Sequence, residues 1–331
     1  MSRKISAHYV FPISSEPIKN GIIELDESGV IINIINPGKE IKEIAGVEFY
    51  SGILVPGFVN AHCHIELSHL KGVVVEKTGL HNFITQISRV RIADEETILK
   101  AINKADLEMK KNGIVAVGDI SNKNHSIDIK KDSTIHYHTF IELFSLNPDK
   151  AKTVFESGKK LEKELRNNDL SCSIVPHTPY SVSKKLFQYI FNNATKNTNP
   201  VSMHNQESVS ENELFINKTG SIFRSLSNMG VDFSHFKPTG KNSLESVIRN
   251  FKKENKCLLV HNTFSCAHDI AIANEYFDEV YWVFCSNANL YIENRLPDIP
   301  LFHKLKQKCT IGTDSLASNH QLSVLDELKT I

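Results

Sequence analysis

Along residues 1–55 the apolar positions fall in short runs rich in Ile and Val: KISAHYVFPI, KNGIIELDESG, GVIINIINP and EFYSGILVP. Pro, Gly and an Asp-Glu-Ser turn separate them, the pattern of β-strands. From Pro56 the pattern changes, and short apolar runs alternate with longer amphipathic stretches, as in a parallel sheet wrapped by helices. Eight strands are predicted: GFVNAHCH, GIVAVGDI (113–120), TIHYHTFIEL, LSCSIVPHTP (170–179), PVSMHNQE (200–207), KCLLVHNTF (256–264), EVYWVFCSN (279–287) and KCTIGTD (308–314). Helical patterns between them include Glu95 to Lys111, AKTVFESGKKLEKEL and SLESVIRNFKKE. Eight strands, seven of them leading into α segments, predict an α/β chain with a (β/α)₈ TIM-type barrel over 56–331. A small β-sandwich-like domain is expected over 1–55. The stretch 208–242 holds Gly220, Gly230, Pro238 and Gly240. It is expected to be a lid over a site, with a decorated strand-to-helix loop as the alternative.

Composition narrows the partners. The 331 residues carry 38 basic and 38 acidic side chains. The zero balance gives no electrostatic reason for nucleic acid or an anionic membrane as partner. The length suffices to bury a core without disulfides. Cys63, Cys172, Cys257, Cys266, Cys285 and Cys309 form no CxxC pair, and several sit in apolar runs, which suits reduced thiols in a reducing compartment. The N-terminus MSRKISAHYVFPISS lacks the apolar core of a signal peptide. No run approaches the roughly 18 apolar residues of a membrane span. A soluble cytoplasmic protein is expected, with a homodimer left open.

In a barrel of this kind the site collects at the C-terminal ends of the strands. The first predicted strand ends in His62 and His64, the fifth in His204 with Glu207 three residues on, the sixth in His261 and the eighth in Asp314. On a strand, residues i and i+2 face the same side, so His62 and His64 can grip one ion together. An HxH pair alone is a weak signal, because two polar residues often end a strand. Four histidines and an aspartate, all at strand ends, are harder to assign to chance.

These residues stand in recognisable motifs. PGFVNAHCHIELS resembles the first-strand motif of the amidohydrolase superfamily, HNQE its fifth-strand HxxE, VHNTF its sixth-strand His and GTDSLASN its eighth-strand Asp. The motifs arrive in order over nearly the whole chain. CSNANLYIENRLPDIP and HTPYSVS resemble the aminohydrolase branch that holds cytosine, guanine and methylthioadenosine deaminases and the triazine hydrolases. Deaminases acting on aminodeoxyfutalosine are a neighbouring group. The resemblance implies one divalent metal, Zn²⁺ first and Fe²⁺ second, held by His62, His64, His204 and Asp314 with a position open for water. It implies that Asp314 accepts the proton of that water, whose pKa the metal lowers. Glu207 would protonate a ring nitrogen and shuttle a proton to the leaving group. His261 would either orient the hydroxide or stabilise developing charge. Binuclear relatives use a carboxylated lysine at the end of strand 4; CSIVPHTPY has none, which favours one metal and deamination.

Further candidates have two readings each. His177 contacts substrate or caps the strand end. Glu66 contacts substrate or supports a metal-binding histidine, the latter favoured; Glu142 is expected to be structural or supporting. Asn289 and Arg295 follow strand 7, and Arg295 binds a substrate carboxylate or phosphate, or makes a surface ion pair. The expected substrate is a small amino-substituted heterocycle, purine or purine-nucleoside-like. The alternatives are hydrolysis of another C–X or cyclic amide bond, as in chlorohydrolases and amidases, or an inactive truncated metal-binding relative. Glu207 and His261 speak against the last, since a mere binder needs no positioned acid. Two departures stand out. The chain ends at SVLDELKTI soon after Asp314, so the small domain is expected to lack its C-terminal half. The strand 7 loop reads CSNANLYIENRLP rather than a CPxSN-type motif.

Overall fold

The computed structural model describes residues 2–38, 45–192 and 199–331. The chain divides into two compact units, Met1–Phe58 and Val59–Ile331.

The first unit is a sheet of β1 (Arg3–Val10), β2 (Ile18–Lys19), β3 (Ile22–Leu25), β4 (Ile31–Ile35) and β5 (Val47–Leu54). β1 is its centre, antiparallel to β2 and β3 on one side and parallel to β5 on the other. Ala7, Val10 and Ile22 are buried, while Ile31, Ile32, Phe49 and Ile53 are each more than half exposed.

The second unit carries β6 (Phe58–Cys63), β7 (Ile114–Ser121), β8 (His136–Leu143), β9 (Ser171–Pro176), β10 (Val201–Asn205), β11 (Lys256–His261), β12 (Glu279–Phe284) and β13 (Cys309–Ile311). Its helices are α1 (Leu80–Val90), α2 (Glu95–Lys111), α3 (Ile127–Asp132), α4 (Ala151–Asn167), α5 (Lys184–Asn192) and α6 (Val209–Asn217). They continue with α7 (Gly220–Asn228), α8 (Ser243–Val247), α9 (Ala267–Tyr276), α10 (Ser286–Glu293), α11 (Ile299–Lys304) and α12 (Val324–Thr330). The strands form two four-stranded sheets, β6-β7-β8-β9 and β10-β11-β12-β13, with parallel pairing within each. A parallel bridge between Cys63 and Asp314 links β6 to the end of β13. On the other side the His204 N–H donates to the His177 carbonyl, 3.0 Å away. The core between sheets and helices is built on Trp282, Phe140, Phe187, Phe284 and Phe302.

Local chemistry explains the elements. The Asp94 carboxylate caps α2 by accepting from the Thr97 N–H, and Glu95 and Glu96 against Lys110 and Lys111 complement the helix dipole. Ile98, Ile102, Ala105 and Met109 supply the buried stripe of that helix. Gly312 is required by contact: a Cβ there would lie 2.8 Å from the His62 Cβ and 2.9 Å from the Cys285 Sγ.

Two sequence expectations change in detail. The segments 200–207, 256–264 and 279–287 stop as strands at Asn205, His261 and Phe284. Gln206, His261 and Asn262 take left-handed backbones (φ 45°, 72° and 57°), and Ser286 already begins α10. Residues 208–242 contain α6 and α7, whose Leu214, Phe215 and Ile222 join the main core with Phe233. Packing of that kind anchors the segment as an elaborated strand-to-helix connection rather than a free lid.

Candidate active site

His62 is the penultimate residue of β6, fully buried, and His64 follows the strand; His204 lies on β10. Their Nε2 atoms converge. The His64 Nε2 lies 3.1 Å from that of His62 and 3.2 Å from that of His204. Asp314 Oδ1 is 3.4 Å from the His64 Nε2 and 3.7 Å from the His62 Nε2. Asp314 is placed by its own N–H, which donates to the His62 carbonyl, and by Ser318, whose hydroxyl donates to Oδ2 at 2.6 Å. Oδ1 is thereby left facing the histidines. The Asn60 carboxamide ties the same edges, accepting from Thr313 N–H and donating to Thr313 Oγ1.

This donor set fits a divalent cation. The His204 Nδ1 donates to the His177 carbonyl at 3.1 Å, so in the neutral ring its Nε2 holds a lone pair. Burial and the neighbouring His64 and His261 push His62 well below the ordinary imidazole range; burial and His62 do the same to His204. Neutral nitrogens facing each other cannot all be satisfied by mutual hydrogen bonds. A tetrahedral ion with ligands at about 2.1 Å needs donor separations of about 3.4 Å, in the middle of the distances observed.

Two further groups border the cluster. Glu207 is 5% exposed, and burial, then Asp314, raises its carboxyl well above the usual range, which favours the protonated acid. Its Oε1 lies 3.7 Å from the His261 Nε2. The Gln206 and Glu207 N–H groups donate to the Glu211 carboxylate and hold this turn. Burial lowers His261, which belongs with His62 and Asp314 to a second group of converging donor atoms.

The other candidates are spread more widely. His177 follows β9, with its Nδ1 3.0 Å from the Ser181 hydroxyl. Glu66 is buried, and its carboxylate accepts the N–H groups of Asn122 and Lys123 at 3.0 and 3.3 Å and so shapes the loop after β7. Asn289, expected to face substrate, is 1% exposed and has both ends of its carboxamide on His261. Arg295 is exposed after α10, its guanidinium 4.7 Å over the Phe264 ring. Glu142 supports the cluster, with Oε1 3.3 Å from the His204 Nδ1.

Sequence reasoning missed Asp119, Lys130, Glu211 and Ser318. Asp119 and Lys130 form a fully buried ion pair at 2.7 Å. Lys130 also donates to Ser121 and Thr139, and Asp119 accepts the Ile65 N–H next to His64. An acid inside the apolar run GIVAVGDI was the available signal, since a buried charge needs a partner.

Residues 53–331 match the model of the amidohydrolase family. The chain is 27% identical over 283 residues to an adenosine deaminase of Helicobacter pylori, covering 85% of this chain and 68% of that one. A solved Helicobacter pylori aminofutalosine deaminase, in complex with methylthio-coformycin, superposes with a TM-score of 0.81 at 24% identity, covering 99% of this chain and 80% of that one. A Xanthomonas campestris adenosine deaminase with bound zinc gives a TM-score of 0.70 at 20% identity, covering 99% and 72%. These likenesses identify the architecture as a TIM-barrel-type α/β fold. No helix among the described residues is long and apolar enough to cross a membrane.

Proposed function

The chain belongs to the amidohydrolase family, and from that premise we propose that it is a metal-dependent deaminase of a purine-nucleoside-like substrate. Water replaces an exocyclic amino group, and ammonia leaves. The observation that carries the proposal is the convergence of the His62, His64 and His204 Nε2 atoms with Asp314 Oδ1, beside a Glu207 whose burial favours the protonated acid. The deaminases among its relatives support the same chemistry.

His62, His64, His204 and Asp314 would hold one ion, Zn²⁺ first. The lack of a lysine in the CSIVPHTPY segment supports a single ion. A bound divalent ion supplies Lewis acidity that brings the pKa of a water toward neutrality. Asp314, oriented by the Ser318 hydroxyl on Oδ2, would accept the proton that such a water loses. Glu207 donates its proton to a ring nitrogen next to the attacked carbon, which makes that carbon electron-poor. The ionised Glu207 then takes the hydroxyl proton of the adduct and passes it to the amine, which leaves as ammonia; the proton held by Asp314 restores Glu207. His177 and Arg295 would meet the rest of the substrate, Arg295 through an anionic group.

In the same reading, residues 56–331 form one closed (β/α)₈ barrel and 1–55 a small β-sandwich-like domain. The links at both edges between the two four-stranded sheets support closure. Six free cysteines support a reducing, cytoplasmic setting. The test is ammonia release by the zinc-loaded protein against adenine nucleosides, pterins, pyrimidines and triazines. Release from adenine nucleosides is expected. Release of chloride from chlorotriazines without any ammonia would overturn the assignment.

A further inference from the structure

We propose that Asn289 is a positioning residue: its carboxamide holds His261 in the tautomer that carries its proton on Nδ1 and leaves Nε2 bare. One backbone carbonyl decides the case. The Asn289 Nδ2 lies 3.3 Å from the His261 carbonyl oxygen, which can only accept a hydrogen bond. The end of the carboxamide facing that carbonyl must therefore be the NH₂. The other end, Oδ1, lies 2.8 Å from the His261 Nδ1. An amide oxygen only accepts, so Nδ1 must carry the hydrogen. A neutral imidazole has one ring proton, and Nε2 is then a lone-pair site.

The arrangement is built rather than incidental. Both residues are 1% exposed, so no solvent competes for these bonds. His261 ends β11 with a left-handed backbone (φ 72°), so the strand alone does not aim its ring. Asn289 sits on the first turn of α10, its N–H donating to the Cys285 carbonyl at 2.8 Å. The bare Nε2 faces Glu207 Oε1 at 3.7 Å and belongs to the donor group with His62 and Asp314. Of the two roles open to His261, this tautomer selects one. It accepts a hydrogen bond from the attacking water and cannot, in the resting site, donate to developing negative charge.

The tautomer is independent of the proposed reaction; only the kinetic arm of its test rests on that reading. The experiment uses zinc-loaded protein labelled with ¹⁵N-histidine, with ring tautomers read from long-range ¹H–¹⁵N correlations. The His261 signals are those lost in His261→Gln. A protonated Nδ1 and an unprotonated Nε2 are expected in the unmodified protein, and the reverse overturns the proposal. Asn289→Leu should shift His261 toward Nε2–H and lower kcat by on the order of 10- to 100-fold, with KM and zinc content little changed. Asn289→Asp keeps an acceptor on Nδ1; it should restore part of kcat and displace the acid limb of the pH profile. A Leu variant with an altered tautomer and full kcat would remove the positioning role. Should the unmodified protein release no ammonia, the deaminase reading fails and the spectrum still decides the tautomer.

Discussion

At the ends of β10, β11 and β13 the chain turns left-handed at Gln206 (φ 45°), His261 (72°) and Asp314 (55°), whereas no residue ending β6 to β9 does so among the described residues. The first sheet offers His62 and His64 by plain strand alternation and supports them with charge, the buried Asp119–Lys130 pair, whose Asp119 accepts the Ile65 N–H beside His64. The second sheet offers Glu207, His261 and Asp314 from strained turns, each held by a buried hydrogen bond: Glu207 and His261 donate to Glu211 and Asn289, and Ser318 donates to Asp314. Left-handed non-glycine residues cost roughly 1–3 kcal/mol each and persist only where surrounding contacts fix them. The difference teaches that one half of this site is made by secondary structure and the other by tertiary contacts.

Removing a ligand from either sheet should erase the distinction. His64→Ala and Asp314→Ala are each expected to lose bound zinc and all ammonia release, measured by metal analysis and steady-state assay. Full zinc retention in either variant would take that residue out of the metal set. Glu207→Gln should next separate metal from chemistry, with zinc content unchanged and kcat down by roughly 100-fold or more, the scale of general acid catalysis. An unchanged kcat would exclude Glu207 from the mechanism.

The supports sharpen the contrast at smaller effect. Glu142→Gln weakens the partner of the His204 Nδ1 and should lower zinc affinity by about 10-fold, read by chelator competition. Around the second sheet, burial raises Glu211 and Glu327 to about 7. Their folded pKa lies above the ordinary 4.5, so folding binds protons in that window. The stability they contribute is complete below about 4.5 and is lost as pH rises through about 7. The buried histidines titrate in the opposite sense over the same range, so the difference between two proteins isolates the carboxyl: the Tm of Glu211→Gln minus that of the unmodified protein should grow from pH 5 to pH 8, and a difference independent of pH would contradict the assignment. Arg295→Met is expected to give the smallest effect, a few-fold rise in KM confined to substrates with an anionic substituent. Equal kinetics on every substrate would leave Arg295 with its Phe264 contact alone.

The same contrast sets what was legible in the sequence. Strand alternation made His62 and His64 readable as a pair, and motif order supplied His204, Glu207, His261 and Asp314. α2 was readable to the residue because its cap and charges are local. Strand ends were read too long at Gln206 and His261, since left-handed backbone there comes from distant contacts and leaves no local signature. The contacts of Asn289 and Glu66 left no signature in the sequence because their partners, His261 and the 122–123 backbone, lie 28 and 56 or more residues away. Ser318 was invisible for a related reason: its meaning depends on which Asp314 oxygen faces the histidines.

The most direct test titrates zinc into metal-free protein while following ammonia release from an adenine nucleoside. Activity is expected to rise linearly and break at one zinc per chain. No ammonia at any zinc level, or a break at two, would contradict it.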